Sequence, residues 1–193
     1  QTFEWTHSRI AEHLAYQWRA RPEGPHCENT KIWPFCLSAA GLGMMLTDQV
    51  LGLKTHAVYP QWVEDIFMRR LMEFGANGEI KSAPLYFDPI EKFVHRQVPL
   101  ANLGTAIYML PQYREVALSL YERAVSSVAF NKAYAPIYPL RKEQVRNYTM
   151  AYLMALEFGD YTTVKRMRRA LEKRSEPRWF GDGEDEFGYF FNY

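Results

Sequence analysis

The chain has 193 residues, with 23 basic and 22 acidic side chains, a net charge of +1 and 48% hydrophobic residues. That length supports one domain with a core of its own, without staples. The charge balance leaves no footprint for nucleic acid or an anionic membrane surface, and no stretch reaches the roughly 18 apolar residues that a membrane-spanning helix needs. The first helix opens at Trp5-Thr6-His7 and runs to about residue 20. Thr6 is its expected N-cap, Trp5 and Ile10 a hydrophobic staple, and Ile10, Leu14 and Trp18 its apolar stripe. Arg21-Pro22-Glu23-Gly24-Pro25 ends it. A second helix is expected over about 35–53, with small residues Cys36, Ala40, Gly43 and Thr47 on one face. A third starts at Tyr59-Pro60 and ends at a Gly75 C-cap, burying Val63, Phe67, Leu71 and Phe74. Asn77-Gly78 is a tight-turn pair, and the segment near residues 78–88 reads as a small β flap.

Further helices are expected over about 100–110, 113–128, 141–158 and 160–173, with a Tyr- and Pro-rich loop over 131–139. Val145, Tyr148, Tyr152 and Leu156 share a face of the sixth helix, with Gly159 as C-cap. Asp160 caps the seventh, which turns Val164, Met167 and Leu171 inward. Successive helix pairs joined by turns read as stacked helical hairpins. No fixed-period repeat marks a regular solenoid. The expected fold class is therefore all-α: a toroid or barrel of helical hairpins, in a single domain over residues 1–193. Gln1-Thr2-Phe3-Glu4-Trp5 lacks the pattern of a signal peptide. The missing initial Met and the aromatic end Gly188-Tyr189-Phe190-Phe191-Asn192-Tyr193 lead us to expect a trimmed or partial chain.

Only two cysteines are present, Cys27 and Cys36, and they bracket Glu28-Asn29-Thr30-Lys31-Ile32-Trp33-Pro34-Phe35. In one continuous helix their sulfurs would lie on opposite faces, about 13 Å apart. Pro34 forbids that helix and extends its predecessor. Cys27 is then expected to end an extended turn and Cys36 to sit in the first turn of the second helix. There the helix dipole would lower the Cys36 pKa. Trp33 and Phe35 would line a greasy pocket between the thiols, and Glu28, as a buried carboxylate, would relay protons. A disulfide, two buried thiols, or a solvated Glu28 capping a turn fit the same spacing.

Metal ligation is not expected: the thiol spacing is wrong for a zinc knuckle, and His7, His13, His26, His56 and His95 are scattered. Asp182, Glu184, Asp185 and Glu186 form an acidic patch between glycines without the pattern of a calcium loop. They read either as a solvated loop or as catalytic carboxylates of a toroidal sugar-cleaving enzyme. The sequon Asn147-Tyr148-Thr149 falls inside a predicted helix.

Cys27-Glu28, Trp33 and Cys36, following the helix that begins Trp5-Thr6-His7, resemble the core of the linalool dehydratase-isomerase family. The resemblance is clearest from Trp5 to Leu53. Gly78-Glu79-Ile80 and Phe187-Gly188-Tyr189 are less specific echoes of it. It implies an (α/α)6 barrel and reversible dehydration or isomerisation of allylic terpene alcohols without a cofactor, on a small apolar substrate. It also implies that Cys27 and Cys36 face the substrate and that Trp33 lines the pocket. The family's Pro-Asn after Glu is Asn29-Thr30 here. An Asp and a His that the family uses lie upstream of where this chain begins, so a homo-oligomer or a partner segment is expected to complete the site. Relatives that have moved to cyclising polyenes are one further expectation. The rivals are the acidic-loop carbohydrate enzyme and a non-catalytic helical binding module.

Overall fold

The computed structural model describes residues 4–127, 130, 142–174, 176–181, 183 and 186–190. The chain runs through α1 (His7–Ala20), α2 (Pro34–Leu51) and α3 (Val58–Trp62), which continues as a π-helical segment (Val63–Leu71). Four short strands follow: β1 (Glu73–Phe74), β2 (Ile80–Ser82), β3 (Tyr86–Asp88) and β4 (Phe93–His95). Then come α4 (Leu100–Met109), α5 (Arg114–Val125), α6 (Lys142–Phe158), α7 (Tyr161–Arg174), β5 (Glu176–Phe180) and β6 (Glu186–Phe190). The molecule is mostly helical, with β1–β2, β3–β4 and β5–β6 pairing as antiparallel hairpins. No helix among the described residues is long and apolar enough to cross a membrane.

Thr6 caps α1 as expected, its hydroxyl accepting the Arg9 N–H at 3.3 Å. The buried face differs from the expected stripe. Trp5 and Ile10 are 57% and 46% exposed, and Trp5 packs edge-on against His13 with ring centroids 5.8 Å apart. The face that packs inward is Ala11, Ala15 and Trp18. The two alanines are small enough to bring α1 close to α2 and α3, which larger Ile10 would prevent.

Pro34 opens α2 at its first position, and Gly52, left-handed at φ 68°, ends it. The close approach on this helix is at Gly41, which lies against the buried Tyr59 ring, whereas Gly43 faces open space. The expected row, through Ala40 and Gly43, thus passes on either side of Gly41 and misses the contact. The third helix does not reach Gly75. Its turns widen at Val63, and the Met72 N–H closes the segment on the Phe67 carbonyl five residues back, at 2.8 Å. Val63, Phe67 and Leu71 are buried as expected, but Phe74 has left the helix and is 42% exposed on β1.

The expected single flap is two hairpins. β2 turns back onto β1 through Gly78 (φ 81°), and β3 pairs forward with β4. Pro84, which lacks an N–H, interrupts the strand between them, and the neighbouring Ala83 N–H goes to Asn102 Oδ1 at 2.9 Å instead.

α4 is buried along Ala101–Ala106 and packs on α5, α2 and α6. Gly159 (φ 71°) and Asp160 join α6 to α7. Asp160 accepts the Thr163 N–H at 3.0 Å and the Tyr121 hydroxyl at 2.8 Å, so one carboxylate caps α7 and ties it to α5. On α6 the buried face is Asn147, Tyr148, Ala151, Met154 and Ala155, while Leu156 is 47% exposed. Met167 and Leu171 of α7 are buried as expected. The end of the chain, expected as loop, forms β5–β6, with Trp179 across from Phe187. The loop over 131–139, the Val145 side chain, Asp182, Glu184, Asp185 and the Glu186 side chain lie outside the described residues.

An aromatic cluster centres the core. Trp18, Tyr59 and Trp62 meet with ring centroids 5.8–6.0 Å apart, and Phe67 stacks on Trp62 at 5.5 Å.

Candidate active site

The cysteine segment is held from both ends. Upstream, the Glu23 carbonyl accepts the Trp62 indole N–H at 2.9 Å, and Gly24 adopts φ 114° where an added Cβ would meet the Leu37 side chain at 2.5 Å. Next comes a tight turn. The Lys31 carbonyl accepts the Cys27 N–H at 3.0 Å, and the Glu28 carbonyl accepts the Lys31 N–H at 3.2 Å. Thr30, at the turn's tip, has φ 62°. Downstream, Ile32 and Phe87 exchange both backbone hydrogen bonds at 2.8 Å, which adds the segment to the β3 edge. Thr30 Oγ1 donates to Asp88 Oδ2 at 2.8 Å, and Asp88 Oδ1 accepts the Ile90 and Glu91 N–H groups at 3.0 and 3.1 Å. Asp88 is therefore held below the usual carboxylate range, first by the Glu91 N–H and then, against burial, by Thr30, Ile90 and Lys31.

This turn, followed by the proline-started helix, brings the two thiols together. Both cysteines are free; Cys27 is exposed and Cys36 half-buried. Hydrogen bonding between the neighbouring thiols pulls their titrations apart, favouring the charge on Cys27 and the proton on Cys36. The Cys27 pKa falls to about 7, first because of that bond and then because the Trp33 N–H also points at its sulfur, against burial and the Glu28 charge. The Cys36 pKa is pushed up, first by donating to Cys27, then by burial and by the negative charges of Cys27 and Glu28. This differs from the expectation that the α2 dipole would lower Cys36. The helix N-terminus instead works through the Trp33 N–H, on the sulfur outside the helix. Of the two, Cys27 is the more readily ionised thiol.

Glu28 is exposed beside the pair, so its carboxylate acts on both sulfurs through its field rather than as a buried relay. Trp33 is half-buried and packs against Tyr86 with centroids 5.5 Å apart. Tyr86 in turn stacks on His95 at 4.9 Å and carries the Lys31 ammonium 5.7 Å above its ring. The buried indole N–H of Trp33 meets no acceptor among the described residues. On the other side Phe35 packs against Tyr108 at 5.4 Å and against Gly104, where a methyl would come within 3.2 Å of its ring. No cluster of three or more His, Cys, Asp or Glu side chains suited to a metal ion occurs among the described residues.

The sequence pattern of the linalool dehydratase/isomerase family matches residues 1–185. The chain belongs to this family. No curated protein matches it. In this linalool dehydratase/isomerase family member the match runs far past the stretch from Trp5 to Leu53, through β1–β4 and the described helices to β5. Membership supports an enzyme of the lyase or isomerase type.

The β3–β4 hairpin supplies what sequence reading missed: Tyr86, Asp88 and His95, none of them near the cysteines in sequence. Asp88-Pro89 carries the composition of a side-chain-stabilised turn, which would have marked Asp88 as a structural anchor. Nothing in the sequence points Tyr86 at Trp33.

Proposed function

We propose that this protein catalyses cofactor-independent dehydration, hydration or isomerisation of an isoprenoid-like allylic alcohol or alkene, with Cys27 and Cys36 as its proton-transfer pair. What supports the reading is the turn ahead of α2 that sets two free thiols beside each other, the Cys27 pKa lowered and the Cys36 pKa raised. In dehydration, the Cys36 S–H protonates the allylic hydroxyl, the C–O bond breaks, and water leaves. The Cys27 thiolate removes a proton from the carbon next to the developing cation, and its C–H electrons become the new double bond. Cys27 is then a thiol and Cys36 a thiolate. One proton passed back along their hydrogen bond restores the starting state. Hydration is the same path reversed. Isomerisation returns the water to the other end of the allylic cation.

Because both sulfurs stand at one point, hydroxyl and proton leave from the same side of the substrate. Trp33 and Phe35 line the approach, and their aromatic faces suit an allylic cation. Glu28 tunes the pair by its charge. The successive hairpins α4–α5 and α6–α7 fit the helix pairing of an (α/α)6 barrel.

The test is turnover of a tertiary allylic terpene alcohol, followed by gas chromatography. Cys27→Ala and Cys36→Ala should each reduce kcat at least about a hundredfold, the span of a general acid or base, with unchanged circular dichroism. Full activity in the double variant would end this reading.

A further inference from the structure

We infer that Thr30 and Asp88 are positioning residues: the hydrogen bond between them fixes the turn that aims the Cys27 sulfur at Cys36. The inference rests on the thiol-pair reading of the site but concerns a different bond.

Three observations carry it. First, Thr30 sits at φ 62°, a left-handed conformation that a β-branched residue adopts only when its surroundings impose it. Secondly, the surroundings that impose it are visible. The Thr30 hydroxyl donates to Asp88 Oδ2 at 2.8 Å across 58 residues of sequence, and Asp88 is itself immobilised by two backbone N–H groups. The residue is buried at the hairpin's edge. Thirdly, the Ile32–Phe87 bridge fixes the segment only on the far side of the turn. Between that bridge and Cys27, the Thr30–Asp88 bond is the only side-chain hydrogen bond from the turn to the hairpin among the described residues; the Lys31 ammonium over the Tyr86 ring is a longer, less directional contact. Without the clamp, Thr30 would relax toward negative φ. The Glu28–Lys31 turn would open, and with it the Cys27 N–H to Lys31 carbonyl bond that sets the sulfur's direction.

The charged and titratable groups around the turn are Cys36 from α2, Glu28 and Lys31 from the turn itself, and Asp88 and His95 from the hairpin. Of these, Cys36 requires the sulfur to be aimed, whereas Glu28 travels with the turn. Loss of the clamp therefore removes the stabilising contacts to Cys27 and keeps the opposing one, so the thiol should titrate higher.

The experiment is the pH dependence of iodoacetamide alkylation of the full chain, read at Cys27 by peptide mass. It needs no substrate. The unmodified protein should show a Cys27 midpoint of about 7. Thr30→Val keeps the branched shape and loses only the donor. It should move the midpoint toward the ordinary thiol value of about 8.5; a move to 8 cuts the thiolate fraction at pH 7 about fivefold. Asp88→Asn, which still offers one oxygen to the Ile90 and Glu91 N–H groups, should shift it in the same direction. It decides the matter if the valine variant is misfolded by circular dichroism. Thr30→Ser, which restores the hydroxyl, should return the midpoint to that of the parent. An unmoved midpoint in the folded valine or asparagine variant overturns the inference, as does a serine variant that shifts as far as valine. A shifted midpoint in a protein whose cysteine-to-alanine variants turn over normally would remove the catalytic reading and leave the clamp standing.

Discussion

In the proposed mechanism, the proton between Cys27 and Cys36 sets the pH range in which the chemistry can run. Cys27 carries its charge above about pH 7, and the raised Cys36 keeps its proton well above that. A base that must be ionised and an acid that must be protonated are thus both ready on the alkaline side of 7. We expect kcat/KM to rise with pH through about 7 and to show no fall from Cys36 up to pH 9. A pH–rate profile under reducing conditions measures this, and a profile that falls between pH 6 and 8 would contradict it. The sign holds for stability too. A thiol whose pKa is depressed on folding contributes stability above its unfolded value near 8.5, and that stability is lost as pH falls through 7. The turn was legible: Pro34 forbade a single helix, so Cys27 had to end an extended turn ahead of α2. Which thiol carries the charge was not legible. It depends on where the Trp33 N–H points, and that direction comes from the cap geometry of α2.

At the scale of elements, packing distances decide what composition leaves open. Gly41 and Gly43 look alike in sequence, two positions apart on α2. An added methyl at Gly41 enters the Tyr59 ring, which cannot give way because Trp18, Trp62 and Tyr113 close around it. At Gly43 nothing lies within 4 Å. Alanine at either site gains roughly 0.5–1 kcal/mol of helix preference. Overpacking costs about 1–3 kcal/mol and outweighs it only at Gly41. Urea denaturation should therefore show Gly41→Ala destabilised and Gly43→Ala stabilised. Equal shifts would mean that α2 does not meet Tyr59 as described. The periodicity of α1 and α6 placed both helices correctly but rotated their inner faces. Ile10 and Leu156 count as apolar in any pattern, yet the buried positions went to Ala11, Ala15, Ala151 and Ala155. Helices that approach closely select for small residues, and an apolar stripe gives no weight to that. The β5–β6 hairpin was hidden for another reason: Gly181 and Gly183, which stand between its strands at positive φ, read as loop.

Across the whole molecule, Trp62 is one of the side chains that join the site to the core. Trp62 is 2% exposed, touches Trp18, Tyr59 and Phe67, and donates its indole N–H to the Glu23 carbonyl just ahead of the cysteine turn. The rings link α1 to α3; the hydrogen bond links both to the segment that carries Cys27. Trp62→Phe keeps an aromatic ring in the cluster but orphans that carbonyl and leaves a void where the second ring was. An unmet buried hydrogen-bonding group costs about 1–3 kcal/mol, and the void adds to it in proportion to its volume. The variant should unfold at lower urea with an unchanged m-value, because the surface exposed on unfolding is nearly the same. In the folded state Cys27 should become more variable in its alkylation rate, since the upstream anchor of its segment is gone while the Thr30–Asp88 clamp remains. Trp62→Ala separates the two contributions: it removes the same hydrogen bond with a larger cavity, so the difference between the variants measures packing alone, expected at about 2 kcal/mol. If Trp62→Phe matched the parent in stability, the indole bond would carry no weight in holding the cysteine segment against the core.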